Sequence, residues 1–258
     1  MNFFSEVNMQ MQILILAIFG AVFGSFVSLV TYRVASKEPM ILARSKCPHC
    51  KKTLKLRSLI PIFSWIFQGG KCLFCQHHIS PRYLAIEFVT MTGFLMSYLA
   101  LGLKFDAKLL IHLAIFVVLM IMVVVDLEHY FIPDFTQYIL AFLAFILIVS
   151  NNNNQFGSAL NALKPAILYL GFGFAVWVFF YFSAGIDGLG IDDFKFFAIA
   201  GFMLGTNNFI LFMFLSGIIG AVFGTLWQKF MKDETFPFAP AICLSAYICL
   251  LVGKPVIY

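Results

Sequence analysis

Long apolar runs separated by short polar segments dominate the chain. Eight of these runs are predicted as membrane-spanning helices, at residues 11–32, 84–103, 108–126, 135–150, 164–183, 194–206, 208–227 and 238–253. The runs are continuous, whereas the strands of a membrane β-barrel alternate apolar and polar positions, so the pattern favours helices. The sixth run is short, and only the segment LGTNN (204–208) marks a turn before the seventh. The pattern therefore predicts an all-α polytopic membrane protein with about eight transmembrane helices.

The composition supports this prediction. Of the 258 residues, 62% are hydrophobic and only 11% are charged, whereas a soluble domain is about 45–50% apolar. The first run, from Met11 to Tyr32, follows a segment without basic residues and is longer than the apolar core of a signal peptide. We therefore expect it to be a retained span and exclude an ordinary soluble fold.

Positive charge is concentrated in the loop at residues 33–83. This loop holds ten of the 17 Lys and Arg residues of the chain and a single acid, Glu38. Cytoplasmic loops of membrane proteins carry such an excess of basic residues, so the loop is predicted to be cytoplasmic. With eight spans, both termini then lie outside, and the segments at 127–134 and 185–193 share the cytoplasmic side with the loop.

Two CxxC pairs lie in this basic loop, CPHC at 47–50 and CLFC at 72–75, with 21 residues between them. Four thiolates from two such pairs complete the tetrahedral shell of a structural zinc ion and leave no open position for a substrate. A reducing cytoplasm disfavours disulfides, while a redox pair and free structural cysteines remain as alternatives. The predicted zinc ligands are Cys47, Cys50, Cys72 and Cys75.

Carboxylates cluster at the predicted cytoplasmic edge of the spans. They are Asp126, Asp134, Asp187, Asp192 and Asp193. Such an acid has three interpretations: a solvated loop charge, a proton or ion site, or a catalytic acid or base. Asp126 ends the third predicted span and Asp193 opens the sixth. Two carboxylates brought together share a proton and can act as base and acid in peptide hydrolysis.

A series of sequence blocks, in order along most of the chain, resembles the type IV prepilin peptidases. The blocks are GSFVSLVTYR (24–33), SKCPHC (45–50), IPIFSW (60–65), KCLFCQHHISPRYLAIE (71–87), DLEHYFIPD (126–134), GLGIDDFKFF (188–197) and FPFAP (236–240). In the family, the last two are usually written G-x-G-x-G-D-x-K and Pro-Phe-Gly-Pro.

The resemblance implies a membrane aspartic protease of the GxGD type in the bacterial inner membrane. Such enzymes remove the basic leader of type IV prepilins and pseudopilins on the cytoplasmic side, and they serve type IV pili, type II secretion or both. Members with the cysteine loop also methylate the new N terminus with S-adenosylmethionine. The implied catalytic pair is Asp126 and Asp193, since the family acid lies two positions before the lysine, here Lys195. The lipid bilayer is a further expected partner, a nucleic acid is not, and the residues that bind the methyl donor stay unassigned.

Three positions depart from the family blocks: Asp192 replaces Gly, Ser28 replaces Asn, and Ala239 replaces Gly. Glycine serves where φ is positive, and aspartate tolerates that region better than most residues. We therefore expect the turn to survive, with Gly188 and Gly190 allowing the backbone to turn sharply. The third carboxylate is expected to perturb the pKa values of the pair, whereas Ser28 and Ala239 are expected to lie away from the proposed chemistry.

These features divide the chain into a first transmembrane segment (1–32), a cytoplasmic zinc-binding loop associated with methylation (33–83) and a seven-helix membrane peptidase domain (84–258). One alternative, a proton- or ion-coupled transporter, explains acids within the membrane but not the four-cysteine loop. Another, a zinc-stabilised membrane scaffold, explains the loop but not the paired aspartates. A bifunctional peptidase accounts for both features.

Overall fold

A computed structural model of the chain describes residues 9–36, 45–151, 160–184, 189–231 and 235–253. Nine α-helices lie in these ranges: α1 (Met9–Ser36), α2 (Phe63–Phe67), α3 (Arg82–Ala100), α4 (Ala107–His129), α5 (Asp134–Asn151), α6 (Leu163–Ala184), α7 (Ile191–Leu204), α8 (Phe209–Met231) and α9 (Ala239–Val252). Short 3₁₀ turns occupy Leu56–Leu59 and Thr206–Asn208. Within the described ranges, β-pairing is limited to two isolated bridges in the cysteine loop. The predicted all-α class is therefore confirmed.

Eight of these helices coincide with the eight predicted spans, and no helix end differs by more than four residues from its prediction. Five of them, α1, α3, α4, α6 and α8, are long and apolar enough to cross a membrane. Two others, α5 and α9, are apolar but shorter. The chain is thus a multi-pass membrane protein, while a count of eight spans stays a prediction.

The chain divides into two compact units, Met1–Leu109 and Leu110–Tyr258. In the first unit, α1 packs along α3 at very short range because two glycines lie four residues apart on α1. A Cβ at Gly20 would lie 2.7 Å from the Cα of Met91, and one at Gly24 would lie 2.5 Å from the Cα of Glu87. Small residues at this spacing let helices in membranes approach closely. The division into three parts made from the sequence stays a prediction.

The second unit is built around α4. Of its most apolar stretch, 72% of the residues are buried, against 11% for α6. Its apolar side chains join those of α5, α7 and α9 in one core that includes Met122, Phe196 and Ile242. Helix α7 packs against α5, α6 and α9, and its approach to α6 is close enough that a Cβ at Gly201 would lie 2.5 Å from the carbonyl oxygen of Pro165. This packing fixes the two helices that carry the predicted catalytic acids.

Candidate active site and metal centre

Asp126 lies near the end of α4 and is buried, with 6% of its surface exposed. Its Oδ2 atom accepts a 2.8 Å hydrogen bond from the backbone N–H of Ala239, the first residue of α9. The first N–H groups of a helix have no partner within the helix, and the helix dipole favours negative charge there. The start of α9 therefore holds the Asp126 carboxylate and stabilises its charged form.

The segment before α9 is positioned by two glycines of α8. A Cβ at Gly220 would lie 2.8 Å from Cε2 of Phe238, and one at Gly224 would lie 3.2 Å from Cζ of Phe236. Both rings thus pack directly against the backbone of α8, where a larger residue would displace them. This contact sets where α9 begins and directs the N–H of Ala239 at the carboxylate.

Asp193 lies in the first turn of α7 and is half-buried. Its backbone N–H donates to the carbonyl oxygen of Gly190 over 3.1 Å, and its Oδ2 accepts a 2.9 Å hydrogen bond from the N–H of Gly190. The bond from the Gly190 N–H to the carboxylate is one half of a helix capping box, and because glycine has no side chain its carbonyl oxygen accepts the other bond. Together the two bonds fix the carboxylate at the start of α7. The acid is therefore held by the helix that carries it.

The expectation that glycine is needed at position 190 for a sharp backbone turn is wrong. Its φ of −75° and ψ of 158° form an extended conformation that any residue adopts. Asp192 belongs to the first turn of α7 and does not use the left-handed region. Asp187 and Gly188, which the sequence also assigns to this acidic segment, lie outside the described residues.

The carboxylates of Asp126 and Asp193 lie close enough for their charges to interact. The buried Cys243 of α9 is within electrostatic range of both. The second unit therefore holds, within electrostatic range of each other, two acids that the sequence places on separate helices.

Asp192 has different partners from its neighbour in sequence. Its Oδ1 atom lies 3.1 Å from Nζ of Lys195, which also lies 2.6 Å from Oδ1 of Asp134. The backbone oxygen of Asp192 accepts a 3.3 Å hydrogen bond from Nε2 of Gln137. The Asp192 charge acts on both carboxylates of the pair, as expected for a third acid beside them.

Two groups of this site were not identified from the sequence. The expectation that Ala239 lies away from the site is wrong, because its backbone N–H binds Asp126. The available signal was Pro240, since a proline just inside an apolar run favours a helix start at the membrane edge. Gln137 was also overlooked, although a buried amide at the start of an apolar run is itself a signal of function.

The four predicted metal ligands converge in the first unit. Their sulfur atoms all lie within 4.8 Å of one another, and the Sγ atoms of Cys47 and Cys75 are 4.0 Å apart. A zinc–sulfur bond of about 2.3 Å in a tetrahedral shell separates the sulfurs by about 3.8 Å, so the spacing fits an ion of this size. None of the described cysteines forms a disulfide. The cluster, formed by Cys47, Cys50, Cys72 and Cys75, can hold a metal ion.

Both CxxC pairs have the same local turn. The N–H groups of Lys51 and Gln76 each donate over 2.9 Å to the carbonyl of the first cysteine of their pair, and both residues have positive φ, 58° and 56°. Backbone N–H groups of Cys75 and Phe74 donate to the Cys72 sulfur and lower the pKa of that thiol to about 7. Since the thiolate is the metal-binding form, these N–H groups favour it at Cys72. At Cys75, despite a backbone hydrogen bond from His77, burial and hydrogen bonds with the other cysteine thiols raise the pKa to about 11.

Two family models match the chain. The bacterial peptidase A24 N-terminal domain matches residues 18–101, and the type IV leader peptidase family matches residues 113–225. The chain is 35% identical to the prepilin leader peptidase/N-methyltransferase of Bacillus subtilis, with 94% of this chain and 95% of that protein covered. Proteins of the same name from Stutzerimonas stutzeri and Legionella pneumophila are 31% and 32% identical; each alignment covers 84% of this chain, and 74% and 75% of those proteins. No solved structure matches the chain.

Proposed function

This chain belongs to the type IV leader peptidase family, and we propose that it cleaves the leader from prepilins and then methylates the new N terminus. The observation that carries the cleavage proposal is that the charge of Asp126, at the end of α4, acts on the carboxylate of Asp193, at the start of α7. A transporter or a scaffold does not account for this pair, the cysteine cluster and the family membership together.

Asp126 and Asp193 are assigned as the catalytic residues. One carboxylate takes a proton from a water molecule as that water attacks the scissile carbonyl, and the other protonates the carbonyl oxygen. As the C–N bond breaks, the proton held by the first carboxylate passes to the leaving amine, and a hydroxyl of the tetrahedral diol returns a proton to the second carboxylate. The shared proton is thus restored and no covalent intermediate is needed. The hydrogen bonds from Ala239 and Gly190 support this assignment because they fix both carboxylates before substrate binds.

We place the active site on the cytoplasmic side of the bacterial inner membrane. The basic loop at 33–83 supports this orientation, because ten of the 17 basic residues lie there. The proposed substrates are type IV prepilins and pseudopilins, whose basic leader precedes an apolar segment. That segment would lie in the bilayer among the spans, while the leader stays in the cytoplasm near the pair.

The cysteine cluster is assigned to a structural Zn²⁺ ion. Four sulfur ligands fill a tetrahedral shell, so the ion would fix the loop and take no part in hydrolysis. The proposed methyl donor is S-adenosylmethionine, in line with the N-methyltransferase names of the relatives. When bound, it supplies an activated methyl group that the new N-terminal amine takes up.

Both activities are tested by incubating the purified chain with a prepilin and methyl-labelled S-adenosylmethionine. We expect cleavage and a labelled product. The Asp126→Asn enzyme should not cleave, yet it should label a pre-cleaved pilin, because methyl transfer does not use the carboxylate pair. A wild-type enzyme that does not cleave prepilin contradicts the peptidase proposal, and cleavage without any label leaves only the protease.

A further inference from the structure

A cavity of about 530 Å³ in the first unit has the properties of a ligand site. It lies between the end of α1, the start of α3 and the two cysteine turns, and its size is typical of small-molecule sites. Its wall contains acidic and basic side chains, a buried hydroxyl group and aromatic rings. Building on the proposed methyltransferase activity, we propose that this cavity binds S-adenosylmethionine.

Ser28 gives the cavity a buried polar group without a partner. The residue lies on α1, is 1% exposed and lines the cavity. Among the described residues, its hydroxyl has no hydrogen-bond partner. Buried polar groups are nearly always hydrogen-bonded, so an orphaned hydroxyl in a cavity wall indicates a ligand that completes it. The amino, carboxylate and ribose groups of the methyl donor all offer such a partner.

Glu87 places a carboxylate in the same wall. It lies on α3, is 7% exposed, and accepts a 2.6 Å hydrogen bond at Oε2 from the N–H of Ile62. Ile62 has φ 62° and ψ −59°, which is a strained conformation for a β-branched residue. Glu87 therefore holds a strained turn of the loop against α3. A buried carboxylate also favours a cationic partner, and the methyl donor carries two positive groups, its sulfonium and its α-ammonium.

The remaining wall complements the other parts of the donor. Arg33, almost fully buried, supplies a positive charge for the α-carboxylate, since guanidinium groups bind carboxylates well. The rings of Tyr32 and Trp65 offer flat apolar faces for the adenine. The Trp65 ring is fixed by its N–H, which donates to the carbonyl oxygen of Ile79 over 3.2 Å. The donor is thus held by side chains, in keeping with a sequence that has no glycine-rich nucleotide loop.

The test measures binding of S-adenosylmethionine, and of its demethylated product S-adenosylhomocysteine, to the full chain in lipid nanodiscs by titration calorimetry. The Glu87→Gln variant keeps a side-chain oxygen for the Ile62 N–H but removes the charge, so the turn is retained. We expect at least tenfold weaker binding of S-adenosylmethionine and a smaller loss for S-adenosylhomocysteine, which lacks the sulfonium charge. Ser28→Ala should weaken both about threefold. The matched controls, Glu128→Gln and Ser216→Ala, lie in the second unit and should bind like wild type.

Thermal unfolding without the donor shows whether each variant is folded. Wild-type methylation together with unchanged binding in Glu87→Gln and Ser28→Ala would overturn the cavity assignment and leave the methyltransferase standing. A wild-type chain that neither binds the donor nor labels a pre-cleaved pilin would remove the methyltransferase proposal, and the cavity assignment with it. Selective loss of binding in the two cavity variants supports the assignment.

Discussion

Substitutions of Asp126 separate the proposed chemistry of this carboxylate from its contribution to folding. Asparagine keeps the shape and an oxygen that can accept the 2.8 Å hydrogen bond from Ala239. Alanine removes that oxygen and leaves the N–H of the fully buried Ala239 unpaired. An unsatisfied buried N–H costs about 1–3 kcal/mol. We therefore expect the free energy of unfolding of Asp126→Ala to be lower than that of Asp126→Asn by about 1–3 kcal/mol.

Cleavage should be lost in both variants to the same degree. A positioned acid or base contributes about 10²–10⁴-fold to a rate, so we expect at least a hundredfold loss whichever side chain replaces Asp126. Purified variants are assayed in detergent with a full-length prepilin, and unfolding is followed by chemical denaturation in mixed micelles. The matched control is Asp106→Asn near the other end of α4, where Asp106 accepts from the N–H of Leu109 and asparagine caps equally well. Cleavage by Asp126→Asn within tenfold of wild type would refute the chemistry, and equal unfolding free energies for the two variants would refute the role of Ala239.

Three further predictions concern the metal, the contact made by α8, and the lysine beside the pair. Metal analysis of unchelated protein should find about one zinc per chain, and Cys72→Ser should lower that content and make the loop sensitive to protease; zinc-free wild type contradicts this. Gly220→Leu should reduce cleavage at least tenfold because a Cβ there would lie 2.8 Å from a packed ring, whereas Gly217→Leu, with nothing within 4 Å, should cleave like wild type; equal rates refute the contact. Lys195→Met should leave the unfolding free energy close to that of wild type, since its ion pairs are largely exposed and screened by solvent. Its cleavage rate should fall because the Asp192 charge is no longer neutralised, and added Asp192→Asn should restore part of that rate; no restoration contradicts the electrostatic account.

Local sequence patterns were sufficient to predict the positions of the helices and the ligands of the cysteine cluster. A helix in a membrane satisfies its backbone hydrogen bonds within one segment, so an apolar run of sufficient length predicts its position. Each CxxC turn likewise closes through bonds between residues close in sequence, such as that from Lys51 to Cys47. The signals for these elements lie within the elements themselves.

The contact between Ala239 and Asp126 could not be predicted in the same way. It uses a backbone N–H, which every residue but proline carries, and it depends on how the rings before α9 pack against α8. At Gly190, the presence of glycine suggested an unusual backbone, yet the backbone there is extended and the residue serves through its N–H to Asp193. Both cases show that a residue type indicates side-chain chemistry better than it indicates the use of its backbone groups.

The most direct test of the central claim compares prepilin cleavage by Asp193→Asn and Asp192→Asn. The two acids are adjacent in sequence and both interact with the charge of Asp126, but Asp193 is fixed by the N–H of Gly190, while Asp192 is paired with Lys195. The account predicts that Asp193→Asn abolishes cleavage in a folded protein and that Asp192→Asn keeps a substantial part of the wild-type rate. An inactive Asp192→Asn together with an active Asp193→Asn would contradict the assignment of the catalytic pair.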